Sequence, residues 1–397
     1  MLAIVKQLVY TYHPPNPSVK LSVSLMMQKN GNKPSKINLK SLSRVELESF
    51  CTDMGLKRFR SDQLFQWMYQ KDVRNFDEMT NLSKDLRQKL SEVAEVGTIE
   101  LASEQRSADG TIKFLFSLHD EHRVEAVMIP DFNEDGSPNR LTICVSSQVG
   151  CVFGCSFCAT GKMGFLRHLT PGEIVDQIIK INQTTEELHG RGITNIVYMG
   201  MGEPLHNYAS VVESAAVITD EKSLGLSPKR ITVSTVGLTK QIKKLAEEQQ
   251  PFRLAISLHA PTDEKRDKIM PINSSLNLAA LRESLEYYYA QTGNGVTYEY
   301  LLFDEFNDTP ADARNLAKIA HWIPSKVNII MYNNVAGVTL KRAREHRLDA
   351  FMRALRDKDV TATVRRSRGD DIDAGCGQLA IREGQPKGKS IAKELSN

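Results

Sequence analysis

Three cysteines inside one short loop constrain this chain more than any other feature. The run Cys151-Val152-Phe153-Gly154-Cys155-Ser156-Phe157-Cys158 has C-x3-C-x2-C spacing. It follows directly on the apolar alternating run Leu141 to Ser147, so a strand delivers the chain into a loop that carries all three thiols. Three cysteinates this close can hold three corners of an iron–sulfur cube, a group that normally takes four protein ligands. The iron left over is open to a small molecule. A structural zinc site is the competing reading. It needs four ligands and the loop supplies three, so Cys144 or Cys376 would have to be the fourth. A disulfide scaffold fits poorly, because six cysteines with three in one loop suit a reducing compartment.

The chain has 397 residues, enough for one large α/β domain and a smaller one. Its hydrophobic fraction of 41% is ample for a core. No apolar run approaches the ~20 residues that a membrane helix needs. Net charge is only +3, so basic character has to be read locally.

Residues Met1 to Arg44 contain no acidic side chain. Transit peptides are also acid-poor, but no arginine precedes Arg44 and the amphipathic period is weak. Prolines 14, 15 and 17 stand where a secretory signal would be apolar. Residues 1–36 read as a disordered extension, with Met26-Met27 as an alternative start. Residues 37–97 have helical pattern and read as a small accessory domain. Ser43-x-x-Glu46 is a capping box, Gly55 a stop, and Ser61 the cap of a second helix. Cys51 falls among the apolar positions and reads as core. Lys57, Arg58 and Arg60 are either nucleic-acid contacts or a solvated face.

Residues 98–135 switch to strand pattern, with a turn at Ala108-Asp109-Gly110 and a linker from Asp131 to Asn139. From Leu141 strands and helices alternate. The strands fall at 141–147, 195–201, 230–236, 253–259, 296–303, 326–332 and 360–366. Helices fall at 173–182, 211–219, 238–248, 278–291, 311–322 and 341–358. This is an α/β fold with a parallel sheet and helices outside. Six or seven units are too few for a closed eight-fold barrel, so residues 136–380 are expected to form a partial (β/α) barrel. Residues 381–397 read as a flexible tail. Active sites in such folds lie at the carboxyl ends of the strands, where the three cysteines fall.

Other strand ends feed the same rim. Met199-Gly200-Met201-Gly202-Glu203-Pro204 offers close backbone approach and a carboxylate that can accept from an ammonium group. Ser234-Thr235, Ser257-Leu258-His259 and Asn333-Asn334 place small polar groups at three more strand ends. Near the carboxyl terminus, Cys376 stands between Gly375 and Gly377, accessible as a reactive thiol must be. Cys144 lies mid-strand on the face opposite Ile143 and Val145, and its pattern alone suits an inert buried thiol.

Read together, these motifs resemble the RlmN family of radical S-adenosylmethionine (radical-SAM) RNA methyltransferases and its relative Cfr. The resemblance runs from about Ile37 to Leu379. It covers Gln148-Val149-Gly150-Cys151, the triplet with Phe157 before its last cysteine, Gly-Met-Gly-Glu-Pro, Ser-Leu-His-Ala-Pro and Arg-Gly-Asp-Asp-Ile-Asp-Ala-Gly-Cys-Gly-Gln-Leu. It departs at Met331-Tyr332-Asn333-Asn334, where many relatives have Pro-Trp-Asn-Pro.

The resemblance implies a radical-SAM partial barrel. It implies a [4Fe–4S] cluster on Cys151, Cys155 and Cys158. S-adenosylmethionine would meet Gly202, Glu203, Ser234, Ser257, Leu258, His259 and Asn333. Cys376 would carry a methyl group, Cys144 would be its disulfide partner, and Glu125 would accept a proton. It implies methylation of carbon 2 of an adenine in the peptidyl-transferase loop of 23S rRNA, and of the adenine beside the anticodon in tRNA, at two S-adenosylmethionine per turnover. It further implies a cytoplasmic monomer and an electron donor such as a flavodoxin system. Phosphate contacts are expected from Lys341, Arg342, Arg344, Arg347, Arg365, Arg366 and Arg368. Two other readings stay open: Cfr-type methylation of carbon 8, and a zinc-holding RNA-binding protein without catalysis.

Overall fold

The computed structural model describes residues 36–381 and Gly388. The amino-terminal extension and the carboxyl-terminal tail expected from the sequence lie outside the described residues, but for their innermost positions and Gly388.

The described chain starts with β1 (Ile37–Asn38), then α1 (Arg44–Asp53), α2 (Phe59–Tyr69), α3 (Lys84–Val93) and β2 (Ala94–Glu95), which pairs in parallel with β1. The capping box is present: Ser43 Oγ accepts from the Glu46 amide and the Glu46 carboxylate accepts from the Ser43 amide. The sequence placed the next cap wrongly. Arg58 caps α2, and Ser61 lies inside the helix, buried, its hydroxyl donating to the Arg58 carbonyl at 2.7 Å. Phe50, Cys51, Leu64, Met68 and Leu90 form the core of these helices, so Cys51 is packing, as expected.

This helical unit is fastened to the rest by Lys40, buried at 1% exposure, whose ammonium sits 2.7 Å from Asp176. The second Asp176 oxygen accepts from the Ile99 amide. A Cβ on Gly172 would stand 2.5 Å from the Lys40 carbonyl, so the contact requires a bare backbone there. Losing one side of such a buried pair costs about 3–5 kcal/mol.

The strands β3 (Glu100–Arg106), β4 (Ile112–Ser117), β5 (Arg123–Phe132) and β6 (Pro138–Cys144) run antiparallel in succession. The expected linker at 131–139 is only a turn, closed by the Asn133 amide on the Ser137 carbonyl, so extension and barrel share one sheet. After the small ribbon of β7 (Gln148–Gly150) and β8 (Phe165–His168), which flanks α4 (Ala159–Met163), the βα alternation begins. It runs α5 (Pro171–His189), β9 (Asn195–Tyr198), α6 (Tyr208–Thr219), β10 (Ile231–Thr235), α7 (Thr239–Glu247), β11 (Arg253–Ser257), α8 (Asp263–Ile269), α9 (Leu278–Thr292), β12 (Val296–Leu302), α10 (Pro310–Ala320), β13 (Ser325–Met331), α11 (Glu345–Arg356) and β14 (Ala362–Arg365).

The sheet has ten strands, ordered β14-β13-β12-β11-β10-β9-β6-β5-β4-β3. The seven strands β6 and β9 to β14 are parallel throughout. Among the described residues both end strands stay unpaired on their outer side, so the barrel is partial, as the count of units implied. The chain after β14 crosses to the antiparallel side. The Gly369 amide donates to Asp109 at 2.9 Å, the Ser107 hydroxyl to Asp371 at 2.6 Å, and the Thr160 hydroxyl to the Leu379 carbonyl at 2.6 Å. That crossing carries Cys376 over the mouth of the barrel.

Candidate active site

Three backbone hydrogen bonds pin the cysteine loop to its surroundings and a fourth closes it on itself. Cys151 donates its amide to Gly164, Ser156 to Ile269, Cys158 to Cys155, and Ala159 to the Gly377 carbonyl at 2.7 Å. Burial raises the pKa of all three thiols, Cys155 to about 12, and the neighbouring cysteines push the same way. Three thiols that resist ionisation become ligands only when a bound cation deprotonates them. Among the described residues no three His, Cys, Asp or Glu side chains converge on one metal-ion position. In an iron–sulfur cube each cysteine binds a different iron, and three thiols carried on one loop suit three of its corners.

A cavity of about 180 Å³ opens beside the loop. Its wall includes the three cysteines, Cys144, Gly202, Glu203, Ser234, Ser257, His259 and Cys376. Glu203 accepts from the Val236 amide at 2.9 Å and the Leu205 amide at 3.1 Å, and burial lifts its carboxyl to about 7. An ammonium group would find acceptor capacity left on it. Gly202 has φ +100°, and a Cβ there would meet Gln148 Cβ at 2.5 Å. The Ser234 hydroxyl donates to the Tyr198 carbonyl at 2.8 Å, leaving its oxygen free to accept. His259 takes the Leu301 amide on Nδ1 at 3.2 Å, and burial lowers it to about 3, so it is neutral with its proton on Nε2.

Three expected site residues are not on that wall. Leu258 is fully buried, its amide on the Glu299 carbonyl at 3.0 Å. Asn333 is 2% exposed, and neither its amide nitrogen nor its oxygen has a hydrogen-bond partner. The Gly375 backbone presses on it, since an added Cβ there would stand 1.7 Å from Asn333 Nδ2. Glu299 is on the wall and has an unpartnered buried oxygen of its own. Buried polar atoms left unpaired cost energy unless a ligand completes them. The orphaned Glu299 oxygen shares its wall with Glu203 and Ser234, a run of acceptors that suits a ligand carrying an ammonium group or hydroxyls. Glu125, the third, is buried beneath the carboxyl-terminal segment. One oxygen is 3.3 Å from Lys113 Nζ and the other accepts from the Ala380 amide at 2.9 Å.

Cys144 and Cys376 reach the cavity from opposite ends of the barrel sequence, and both are free thiols. The pattern alone made Cys144 inert. Its strand ends at the cavity, which gives the buried thiol a reacting space. Burial pushes it up to about 12, Cys376 adds to the effect and Arg365 opposes it.

Arg365 is the residue that sequence reasoning misplaced. It was expected to contact phosphate, yet it lines the cavity, where Cys376 foremost, then Glu299 and Cys144, raise its pKa. Arg365 is the last residue of β14 and is half-buried, whereas Arg366 lies just past the strand and is exposed. Two more of the expected phosphate contacts are engaged. Arg347 is held bidentate by Asp308 at 2.5 and 2.6 Å, and Arg344 pairs with Asp304 and Glu305. Arg366 and Arg368 line the cavity mouth and are exposed. Among the described residues no helix is long and apolar enough to cross a membrane.

Comparison with known proteins agrees with this geometry. A profile for the ribosomal RNA large subunit methyltransferase N-terminal domain matches residues 37–96, and one for the radical SAM superfamily matches residues 145–317. The chain is 51% identical to a probable dual-specificity RNA methyltransferase RlmN of Salinibacter ruber, over 88% of this chain and 95% of that one. It is 46% identical to its counterpart in Cytophaga hutchinsonii, over 90% and 96%. A crystal structure of a radical SAM methyltransferase from Sphaerobacter thermophilus superposes with a TM-score of 0.80 at 40% identity, covering 86% of this chain and 99% of that one.

Proposed function

The chain belongs to the RlmN family of dual-specificity RNA methyltransferases, radical-SAM enzymes that use a [4Fe–4S] cluster and S-adenosylmethionine, and we propose that it methylates carbon 2 of adenine in 23S rRNA and in tRNA. Carbon 2 of adenine is electron-poor and is no nucleophile, so an ordinary methyl transfer to it fails. When bound, the cofactors supply a methyl group for sulfur and the power to remove a hydrogen atom from that methyl group.

Every other task falls to side chains of this chain. Cys151, Cys155 and Cys158 hold the cluster. Gly202, Glu203, Ser234, Ser257 and His259 hold S-adenosylmethionine, with Glu203 toward its ammonium, while the expected contacts Leu258 and Asn333 are buried off the cavity wall. The Cys376 sulfur takes the methyl group as a nucleophile. Once a hydrogen atom is lost, that carbon bonds to carbon 2 of the adenine and joins protein to RNA, and the odd electron this leaves on the ring would return to the bound cofactors. Glu125, close under the segment that follows Cys376, takes the ring proton. The Cys144 thiolate then attacks Cys376 Sγ, the bond from sulfur to the transferred carbon breaks with its electron pair on that carbon, which takes a proton to become the methyl group, and the RNA leaves as the sulfurs form a disulfide. Two electrons from an external reductant restore both thiols.

The observation that carries this reading is that Cys144 and Cys376 line one cavity together with the three loop cysteines. Arg366 and Arg368 at its mouth suit phosphates of an RNA loop whose adenine is turned out of the stack. We assign the enzyme to the cytoplasm as a monomer supplied by a donor such as a flavodoxin. We divide it at 37–97, 98–135 and 136–380. Methylation of carbon 8, the Cfr alternative, is disfavoured by the names of the relatives. Anaerobic reaction with S-adenosylmethionine, a low-potential reductant and either an rRNA fragment or tRNA, followed by nucleoside digestion, is the test. It should give 2-methyladenosine from both RNAs. Finding 8-methyladenosine, or no methylated adenosine, would overturn the assignment.

A further inference from the structure

Arg266 on α8 is fully buried, and its surroundings are unusual for a charge. Nε donates to the Leu258 carbonyl at 3.3 Å, one terminal nitrogen to the Val236 carbonyl at 2.6 Å, and the other to Asn273 Oδ1 at 2.7 Å. Longer contacts reach the carbonyls of Ser257 and Leu276. Every one of these acceptors is neutral. The carboxylates of Asp263 and Asp267 stand one step behind, each bonded by the Asn273 amide nitrogen, at 3.0 and 2.7 Å, so an amide separates them from the guanidinium.

A buried cation without a touching counter-charge is expensive, and a strand clip of this kind does not require one. Burial brings Arg266 down to about 10, which still leaves it protonated at neutral pH, and Cys155 is the first of the groups that support its charge, ahead of both aspartates. The cysteine loop is tied to the same helix by the Ser156 amide on the Ile269 carbonyl at 3.0 Å.

We propose that Arg266 is the built-in counter-charge of the iron–sulfur cluster, a fixed cation that favours the reduced cluster and so sets its reduction potential. The inference rests on the reading that Cys151, Cys155 and Cys158 hold that cluster. On reduction one electron passes from the external reductant to the cluster. No bond or proton changes, and the guanidinium stays charged. The reduced cluster carries one more negative charge than the oxidised one. A nearby cation in a low-dielectric setting therefore stabilises it more. The rival role, a clip that holds the ends of β10 and β11 together, would change stability and leave the potential where it is.

The test is an anaerobic redox titration of the iron-loaded full-length protein with dithionite and mediators, followed by the electron paramagnetic resonance of the reduced cluster, with iron content measured alongside. Arg266→Gln removes the charge. At a fixed potential its ratio of reduced to oxidised cluster should fall about tenfold, which is ≈59 mV for a one-electron couple. Arg266→Lys keeps the charge and should keep the midpoint. Asp267→Asn, at an exposed position, removes a negative charge behind Arg266 and should shift the midpoint upward. An unchanged midpoint in iron-replete Arg266→Gln overturns the proposal. Should that variant hold no iron, Asp267→Asn decides: an upward shift supports the counter-charge and no shift overturns it. A wild-type protein that binds no iron would fail the cluster assignment itself, a result distinct from either.

Discussion

Cys376→Ala should yield no methylated RNA while keeping its iron and its ability to cleave S-adenosylmethionine. Its sulfur is the only place the account gives the methyl group before it reaches the adenine. The cluster ligands lie elsewhere, on the loop after β7, and depend on Cys376 for none of the hydrogen bonds that pin that loop. The Gly377 carbonyl that accepts from Ala159 is main chain and survives the substitution. The loss should therefore be complete in product and nearly absent in stability, since trimming a half-buried thiol costs about 1 kcal/mol or less. Methylated RNA from this variant above the background of a no-enzyme control would mean that some other group carries the methyl.

Cys155→Ala should fail one step earlier. With two thiols left the loop cannot hold the cube, so iron, visible colour and formation of deoxyadenosine should all vanish together. Cys51→Ala is the matched control. Cys51 is also buried and its thiol is also pushed up, to about 11, by burial. It packs among the accessory helices, far from the cavity wall in sequence and absent from its lining. That variant should keep its iron and its turnover and lose only about 1 kcal/mol of stability. Deoxyadenosine from Cys155→Ala would show that the ligand assignment is wrong.

What the sequence made legible was local. The cysteine triplet, the capping box at Ser43 and Glu46, and the alternation of β9 through β14 with helices are each written in a short window. The physics that makes them is equally short in range. The misreadings came where a distant partner decides. Arg347 looks like a basic helix face until Asp308 arrives from the loop after β12 to take its fork. Arg365 looks like a phosphate ligand until β14 joins the sheet and turns it inward. Ser61 looks like a cap, yet the chain enters α2 one turn earlier at Arg58. Cys144 is the sharpest case. Nothing in its own strand marks it, and the pattern favours an inert thiol. Only the crossing of the carboxyl-terminal segment, held by Asp109, Ser107 and Thr160, brings Cys376 to the same cavity.

Pairing of those two cysteines is the claim on which the account stands, and Cys144→Ala tests it most directly. That variant keeps the carrier and the cluster, so the bond between the Cys376 carbon and the adenine should still form. It lacks the thiol that breaks the carrier away. After anaerobic reaction with S-adenosylmethionine, reductant and RNA, a denaturing gel should show a slow band that contains both protein and RNA and collapses on nuclease treatment. The band should be absent from Cys376→Ala. A Cys144→Ala enzyme that turns over with no such band would contradict the account, and a band in Cys376→Ala alone would reverse the two roles.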